Sequence, residues 1–374
     1  MQKRVVISLN TTWNLVNFRS GLIKSLIENG YQVVAVAPAD SYVNQLMKLG
    51  CKYVDVKIKA NSTNALDDIF LLWQYLKILY EYKPDVYLSF TPKPNIYGSI
   101  AAQILNIRTV NNIAGRNSLL HQGKIVVKIL EKLYWLSLRN SFKVFFQNKE
   151  DMIDFQRKKL VREEISDLLP GSGVNTRFFH YIDFPIGKRF RFLFVGRMLK
   201  EKGVIEFIKA AKIVKEKGYS ADFFMIGEFI EGAKNSLSNK QIQKWVDEGY
   251  VNYLGMIDNV HAELGLAHCI VLPTYYGEGT PKTLLEAGAT GRPILTTDWP
   301  GCRDVVDSGI NGLLCLPKDP LDLAEKMVDL LSLNNTDLKN MGIRGREKIV
   351  KEFDEAIVIK KYLECVSEIL NADQ

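Results

Sequence analysis

The chain has 374 residues, 47% of them hydrophobic and 24% charged, with a formal net charge of +7. That length suits two domains of roughly 180 residues better than a single core. The composition is that of a soluble globular protein and excludes disorder and low complexity. The basic excess fits nucleic acid, an anionic membrane surface or a phosphorylated substrate, without choosing among them.

Taken in chain order, the sequence opens with charge and then the short apolar run Val5-Val6-Ile7, too brief for a signal peptide, so a first buried strand is expected. No stretch approaches the ~20 apolar residues of a spanning helix. Strands are expected at 4–9, 32–37, 85–90, 108–112 and 143–147, several of them continuous apolar runs of the kind buried on both faces. Helices are expected between them at 18–29, 66–82, 95–105 and 124–138. Strand–helix alternation of this kind implies a doubly wound parallel sheet.

A break follows at Pro170-Gly171-Ser172-Gly173, and a polar stretch runs on to about Arg189. The alternation restarts with strands at 190–195, 222–226, 251–254, 269–273 and 293–297 and a helix over 204–217, and ends in helices over 322–331, 337–351 and 355–370. The expected fold class is α/β, two Rossmann-like doubly wound domains, with ligands at the strand C-terminal edges facing a central cleft. The expected division is 1–180, 181–350 and a C-terminal helical segment, 351–374, crossing back to the first domain.

The five cysteines (Cys51, Cys269, Cys302, Cys315, Cys365) are scattered, with no Cys-x-x-Cys pair, and the four histidines (His121, His180, His261, His268) lack ligand spacing. Neither a disulfide framework nor a zinc site is expected, and a reducing compartment is the natural setting. No Asp-x-Asp triplet is present to bridge a metal to a diphosphate. The expectation is no metal and no cofactor.

Two segments of the second half carry the chemistry. The strand at 190–195 runs into Gly196-Arg197-Met198-Leu199-Lys200-Glu201-Lys202-Gly203, where Gly196 permits a tight turn and Arg197 and Lys202 bring two cations to a helix N-terminus. Charged donors and the helix dipole then act on one anion, which suits a diphosphate. A solvated basic turn is the competing reading. The second segment is Tyr276-Gly277-Glu278-Gly279-Thr280-Pro281-Lys282-Thr283-Leu284-Leu285-Glu286. Pro281 sits where a helix can begin, and the amides from Gly279 through Thr280 to Lys282 suit phosphate oxygens. Glu278 and Glu286 can accept from a sugar and a ribose of one extended ligand. A helix cap for Glu278 and a solvated Glu286 are the alternatives.

Together these segments resemble the signature of the retaining glycosyltransferases of family 4, which have the two-Rossmann GT-B fold. Gly-Arg, then Lys-Gly, then E-x7-E stand here as Arg197, Lys202, Glu278 and Glu286, and the stretches 293–297 and 309–314 look like the strand and turn that follow. In the first domain, Asn10 to Leu15 and Phe18 to Gly21 resemble the family's flexible loop after strand one. Asp85-Val86 and Thr91 to Gly98 look like members that extend bacterial polysaccharides on a polyprenyl-diphosphate carrier. The segment Asn112 to Asn117 departs from the Gly-Leu-Gly-like loop of the family, and His121 stands as the candidate for the histidine many members place near the reacting sugar.

The resemblance implies a UDP-N-acetylhexosamine donor and a polyprenyl-diphosphate-linked saccharide acceptor. It also implies an acceptor-binding first domain, a donor-binding second domain with Glu278, Arg197 and Lys202 catalytic, and Gly21, Gly196 and Glu286 among the donor contacts. A GDP-linked donor would use much the same phosphate groups. The helix over 124–138 carries Lys124, Lys128 and Lys132 at four-residue spacing, then Arg139, among Ile125, Ile129, Leu133 and Trp135. It can lie on an anionic membrane through 124–139, or it can be a core helix whose lysines face water. The setting expected is cytoplasmic, peripheral on the inner face of the plasma membrane, with no nucleic-acid partner. Three rivals remain: a sugar-nucleotide epimerase of the same fold, a nicotinamide enzyme, which the missing G-x-G-x-x-G after Leu9 or Val195 disfavours, and a nucleic-acid-binding or inactive scaffold.

Overall fold

A computed structural model describes residues 2–59, 64–115, 123–187, 189–230, 235–257 and 259–372. The chain divides into two compact units, Met1–Ser172 with Glu355–Gln374, and Gly173–Asp354. The first break falls inside the expected 170–189 stretch, at 172/173 rather than 180/181, and the returning segment starts at 355 rather than 351.

Unit 1 is built on strands β1 (Arg4–Ser8), β2 (Gln32–Ala37), β3 (Lys52–Asp55), β4 (Val86–Ser89), β5 (Arg108–Ile113), β6 (Lys143–Phe146) and β7 (Ser166–Leu168). They form one parallel sheet in the order β3-β2-β1-β4-β5-β6-β7, with Val5 opposite Val33 on one side and Val86 on the other. The residues at 5–8, 33–37 and 86–89 are buried, as two covered faces require. One face is covered by α1 (Thr12–Glu28), α2 (Val43–Met47) and the last helix of the chain. The other is covered by α3 (Ala65–Tyr82), α4 (Ser99–Ile104), α5 (Lys124–Leu138) and α6 (Lys149–Arg157).

Two expectations for this unit are corrected. The segment after β1 is helix from Thr12 onward, because the Thr11 side chain accepts from the Asn14 amide and caps it. Gly21 thus lies within a helix rather than in a loop. The expected helix at 95–105 is a π turn, Pro94–Gly98, followed by the short α4.

Unit 2 has strands β8 (Phe190–Val195), β9 (Ala221–Ile226), β10 (Asn252–Tyr253), β11 (Cys269–Leu272), β12 (Ile294–Thr297) and β13 (Gly312–Cys315), parallel in the order β10-β9-β8-β11-β12-β13. Its helices are α7 (Val204–Glu216), α8 (Asn239–Asp247), α9 (Val260–Leu266), α10 (Lys282–Ala289), α11 (Pro320–Leu331) and α12 (Asn335–Glu352). Phe192, Phe194, Phe207 and Phe223 are fully buried at its centre, each contributing about 1.5–3 kcal/mol by burial.

The returning helix α13 (Glu355–Ala372) belongs to unit 1. Its buried Tyr362 packs on Phe90 and Phe145, with ring centroids 5.4 and 5.1 Å away. Lys361 Nζ donates to Asp167 Oδ2 and to the Leu168 carbonyl, both at 2.8 Å. These contacts fix α13 to the sheet edge, and Gly21 serves the same packing. A Cβ at Gly21 would lie 2.8 Å from Glu355 Oε2 and 3.1 Å from the Ile359 side chain.

Candidate active site

The site of unit 2 is assembled from the turns that follow β8 and β11, neighbouring strands of its sheet. After β8 the chain passes Gly196 and Arg197 into a 3-10 turn over Lys200–Lys202, and α7 begins beyond Gly203. The tight turn is made by Gly203, not by Gly196. Gly203 has φ 79°, and a Cβ there would fall 2.1 Å from the Pro273 carbonyl oxygen, so only glycine lets the two turns close on each other. They are also hydrogen-bonded: the Glu201 carbonyl accepts from the Tyr275 amide at 2.8 Å and from Thr274 Oγ1 at 3.2 Å.

This juxtaposition brings Lys202 to Glu278. Lys202 Nζ donates to Glu278 Oε1 in a charge-assisted bond, with the lysine side chain 9% and the glutamate 22% exposed. Tyr276 lies beneath both cations, with the Arg197 guanidinium carbon 5.6 Å and Lys202 Nζ 5.4 Å from its ring centroid. Burial raises the Tyr276 hydroxyl pKa, and the Arg197 charge opposes that rise. Four side chains thus share one location: Arg197, Lys202, Tyr276 and Glu278.

The helix that follows starts at Lys282, one residue later than expected. Pro281 is its extended cap residue and no side chain caps it, so Glu278 is not its cap. Lys282 and Glu286 form an i,i+4 pair on this helix at 4.0 Å, with side chains 21% and 16% exposed. Glu286 is therefore mostly buried rather than a solvated surface residue. Burial pushes its carboxyl up to about 6, and the Lys282 charge holds it from rising further.

The loop between β11 and α10 is supported from behind by the segment after β12. Thr297 Oγ1 donates to the Thr274 carbonyl. Gly301, at φ 82°, passes so close that a Cβ would lie 2.3 Å from the Gly279 carbonyl oxygen and 3.2 Å from the Thr280 amide nitrogen. The buried Gly279, Thr280 and Pro281 are held by that contact.

Of the residues expected at the site, the structure brings Arg197, Lys202 and Glu278 together and places Gly196, Gly279, Thr280, Pro281, Lys282 and Glu286 on the same turns and helix. Gly21 lies in unit 1, within α1. His121 lies outside the described residues. Sequence reasoning missed the roles of Tyr276, Thr274 and Gly301. All three act only through the folded turns; Tyr276 stands two residues before Glu278, but its two cations come from the turn after β8.

Comparison with known proteins bears on the family and the fold. Residues 5–148 match a family model described as glycosyl transferase 4-like, and residues 189–333 match one described as glycosyl transferases group 1. The chain is 26% identical to the Campylobacter jejuni N,N'-diacetylbacillosaminyl-diphospho-undecaprenol alpha-1,3-N-acetylgalactosaminyltransferase, over 96% of each protein. It is 24% identical to the capsular polysaccharide biosynthesis glycosyltransferase CapM of Staphylococcus aureus, over 78% of each. Among solved structures, Anabaena HepE in complex with UDP and glucose superposes with a TM-score of 0.81 at 15% identity, covering 98% of this chain and all of that one. A glycosyltransferase from Rickettsia africae superposes with a TM-score of 0.80 at 16% identity, covering 99% of each chain. The two parallel-sheet units are those of the GT-B fold, and the chain belongs to the group 1, family 4-like glycosyltransferases.

Proposed function

We propose that this transferase moves an N-acetylhexosamine from a UDP donor to a saccharide carried on a polyprenyl diphosphate, with retention of anomeric configuration and without a metal. The observation that carries the reading is the pair of cations, Arg197 and Lys202, gathered over Tyr276 beside the turn that opens α10. When the bond from sugar to diphosphate breaks, negative charge accumulates on the leaving oxygen. Fixed cations and the first-turn amides of α10 suit that charge, and one such donor is worth ~3 kcal/mol in the transition state.

Glu278 in this reading orients the donor sugar by accepting from its hydroxyls, and the acceptor attacks from the face the diphosphate leaves. A diphosphate at Lys202 competes with the carboxylate for the ammonium, and Glu278 then turns its oxygens to the sugar. Glu286 accepts from the ribose in its ionised form. Unit 2 takes the donor and unit 1 the acceptor.

The Campylobacter relative supports a lipid-linked acceptor, since its name places its own acceptor sugar on undecaprenol diphosphate. Contact with an anionic membrane through residues 124–139 is part of the proposal. Lys124, Lys128, Lys132 and Arg139 of this segment are exposed, and so are Ile125, Ile129 and Trp135, which a helix packed only as core would cover. The same face of unit 1 continues over α3, where Leu66, Ile69, Phe70 and Trp73 are exposed at helical spacing. Among the described residues no helix is long and apolar enough to cross a membrane. The proposed contact is peripheral, on the cytoplasmic face.

The test is incubation with UDP-N-acetylhexosamines and a prenyl-diphosphate-linked sugar, reading the anomeric configuration of the product by NMR. An α-linked product supports the reading. A β-linked product, or conversion of the donor to its epimer without acceptor, contradicts it.

A further inference from the structure

Unit 1 holds a buried cation that the proposed chemistry leaves unused. Arg19, in the second turn of α1, is 4% exposed. Its guanidinium carbon lies 4.3 Å from the ring centroid of Phe90. It donates no hydrogen bond to any described residue, and its Nε is buried without a partner. Among the described residues no carboxylate pairs with it; the group that bears on its charge is Tyr362. Tyr362 is neutral, since burial drives its hydroxyl pKa well up, and that hydroxyl accepts from Asn112 Nδ2 at 3.0 Å.

An arginine does not give up its proton inside a protein, so this is a largely buried charge whose Nε donor is unused and whose terminal nitrogens donate to no described residue. Such an arrangement is strongly unfavourable, and a cation over an aromatic ring offsets only part of it. A second buried group without a partner, the hydroxyl of Thr91, lies on the residue that follows Phe90 in the chain. Topology gives the location a meaning. β1 and β4 are neighbours from which the chain proceeds to opposite sides of the sheet; α1 follows β1, and Phe90 and Thr91 follow β4. This is the switch point of a doubly wound sheet, where the crevice at the strand C-termini takes ligands.

We propose that Arg19, with the Thr91 hydroxyl, is the seat of a phosphoryl group of a substrate bound by unit 1. The guanidinium fork matches two phosphoryl oxygens at once. The expected source is the diphosphate of the acceptor, which rests on the acceptor proposed above. A nucleotide phosphate is the other source of the same chemistry.

The experiment uses the full-length protein and Arg19→Met, which keeps the volume against Phe90 and removes the charge. Thermal unfolding is followed with UDP saturating, with and without farnesyl diphosphate, alongside acceptor KM and UDP affinity. The expected result is that Arg19→Met unfolds at or above the wild-type temperature and loses the farnesyl diphosphate shift. Its acceptor KM rises tenfold or more while UDP affinity stays within twofold. A tenfold loss of UDP affinity with the farnesyl diphosphate shift intact would keep the seat and assign it to the donor. A variant that unfolds several degrees lower with both ligand responses unchanged overturns the proposal and makes Arg19 a packing residue. No farnesyl diphosphate shift in the wild type, with UDP affinity intact in the variant, overturns it as well, whereas failure of the transferase reading shows as absence of UDP binding altogether. Should Arg19→Met not fold, Arg19→Lys keeps the charge without the fork, and an unchanged acceptor KM in it counts against the seat.

Discussion

Lys202 and Glu278, 76 positions apart in the chain, share one charge-assisted hydrogen bond at the meeting of two strand-end turns. The family signature marks these residues separately, and folding makes them a single unit. Removing one partner leaves the other partly buried and unpaired. Lys202→Ala or Glu278→Ala is expected to cost roughly 2 kcal/mol of stability, below the ~3–5 kcal/mol of a fully buried pair, because the glutamate is 22% exposed. The double variant Lys202→Met/Glu278→Leu should recover most of that loss in denaturant unfolding while remaining inactive. If Lys202→Ala/Glu278→Ala is as unstable as the sum of its two singles, the two residues do not act as a pair.

Tyr276 carries two cations on one ring. Tyr276→Phe keeps the ring and is expected to retain UDP affinity within about threefold. Tyr276→Leu removes it and releases both side chains, with an expected loss of about tenfold, the scale of two cation–π contacts of ~0.5–1 kcal/mol each. Titration calorimetry of the two variants checks this. Equal affinities would leave Tyr276 without a positioning role.

Glu286 gives the account a pH dependence. Its carboxyl is pushed up to about 6 from an ordinary 4.5, so the folded protein holds that proton more tightly than the unfolded chain. Stability from this group is present below about pH 4.5 and is lost as pH rises through 6, up to about 2 kcal/mol in all. Glu286→Gln should therefore raise the unfolding midpoint at pH 7.5 and not at pH 4.5. Binding runs the other way, because only the carboxylate accepts two ribose hydroxyls. Wild-type affinity for a UDP-sugar, whose diphosphate takes up no proton in this range, should fall between pH 7 and pH 5, and that of Glu286→Gln should be lower and flat. A flat profile in the wild type would remove Glu286 from the donor site.

The exposed lysines of α5 set the strength of the proposed membrane contact. Each basic side chain near an anionic surface is worth about 1 kcal/mol, so Lys128→Ala/Lys132→Ala should weaken partition onto phosphatidylglycerol-containing vesicles by ~30-fold. Neutral vesicles should show little difference. Co-sedimentation distinguishes this from a helix whose lysines only face water, for which the variant would partition as the wild type does.

What the sequence makes legible divides along physical lines. β11 is an uninterrupted apolar run, Cys269–Leu272, and β8 holds one in 192–195 after Arg191; such runs announce themselves because both faces are buried. β3, Lys-Tyr-Val-Asp, and the three-residue β7 lie at the two edges of their sheet, mix polar with apolar residues and pass for loop. α1 begins in Thr-Trp-Asn-Leu, a turn-like composition, and its start depends on the Thr11 cap rather than on periodicity. At the site, Arg197, Lys202, Glu278 and Glu286 are readable from spacing. The Lys202–Glu278 bond, the support of Gly301 behind Gly279 and the unpaired Arg19 are not readable, since each is made by segments that meet only when the sheets form.

The central claim is that Arg197 and Lys202 hold the diphosphate of a nucleotide donor in unit 2, and UDP affinity measured by titration calorimetry tests it most directly. The wild type is compared with Arg197→Ala and Lys202→Ala, with UMP as the control that lacks the second phosphate. The account predicts that the wild type prefers UDP to UMP and that each variant loses ~100-fold or more in UDP affinity with little change toward UMP, the scale of ~3 kcal/mol for a charged donor. UDP binding of equal strength in wild type and both variants would contradict it.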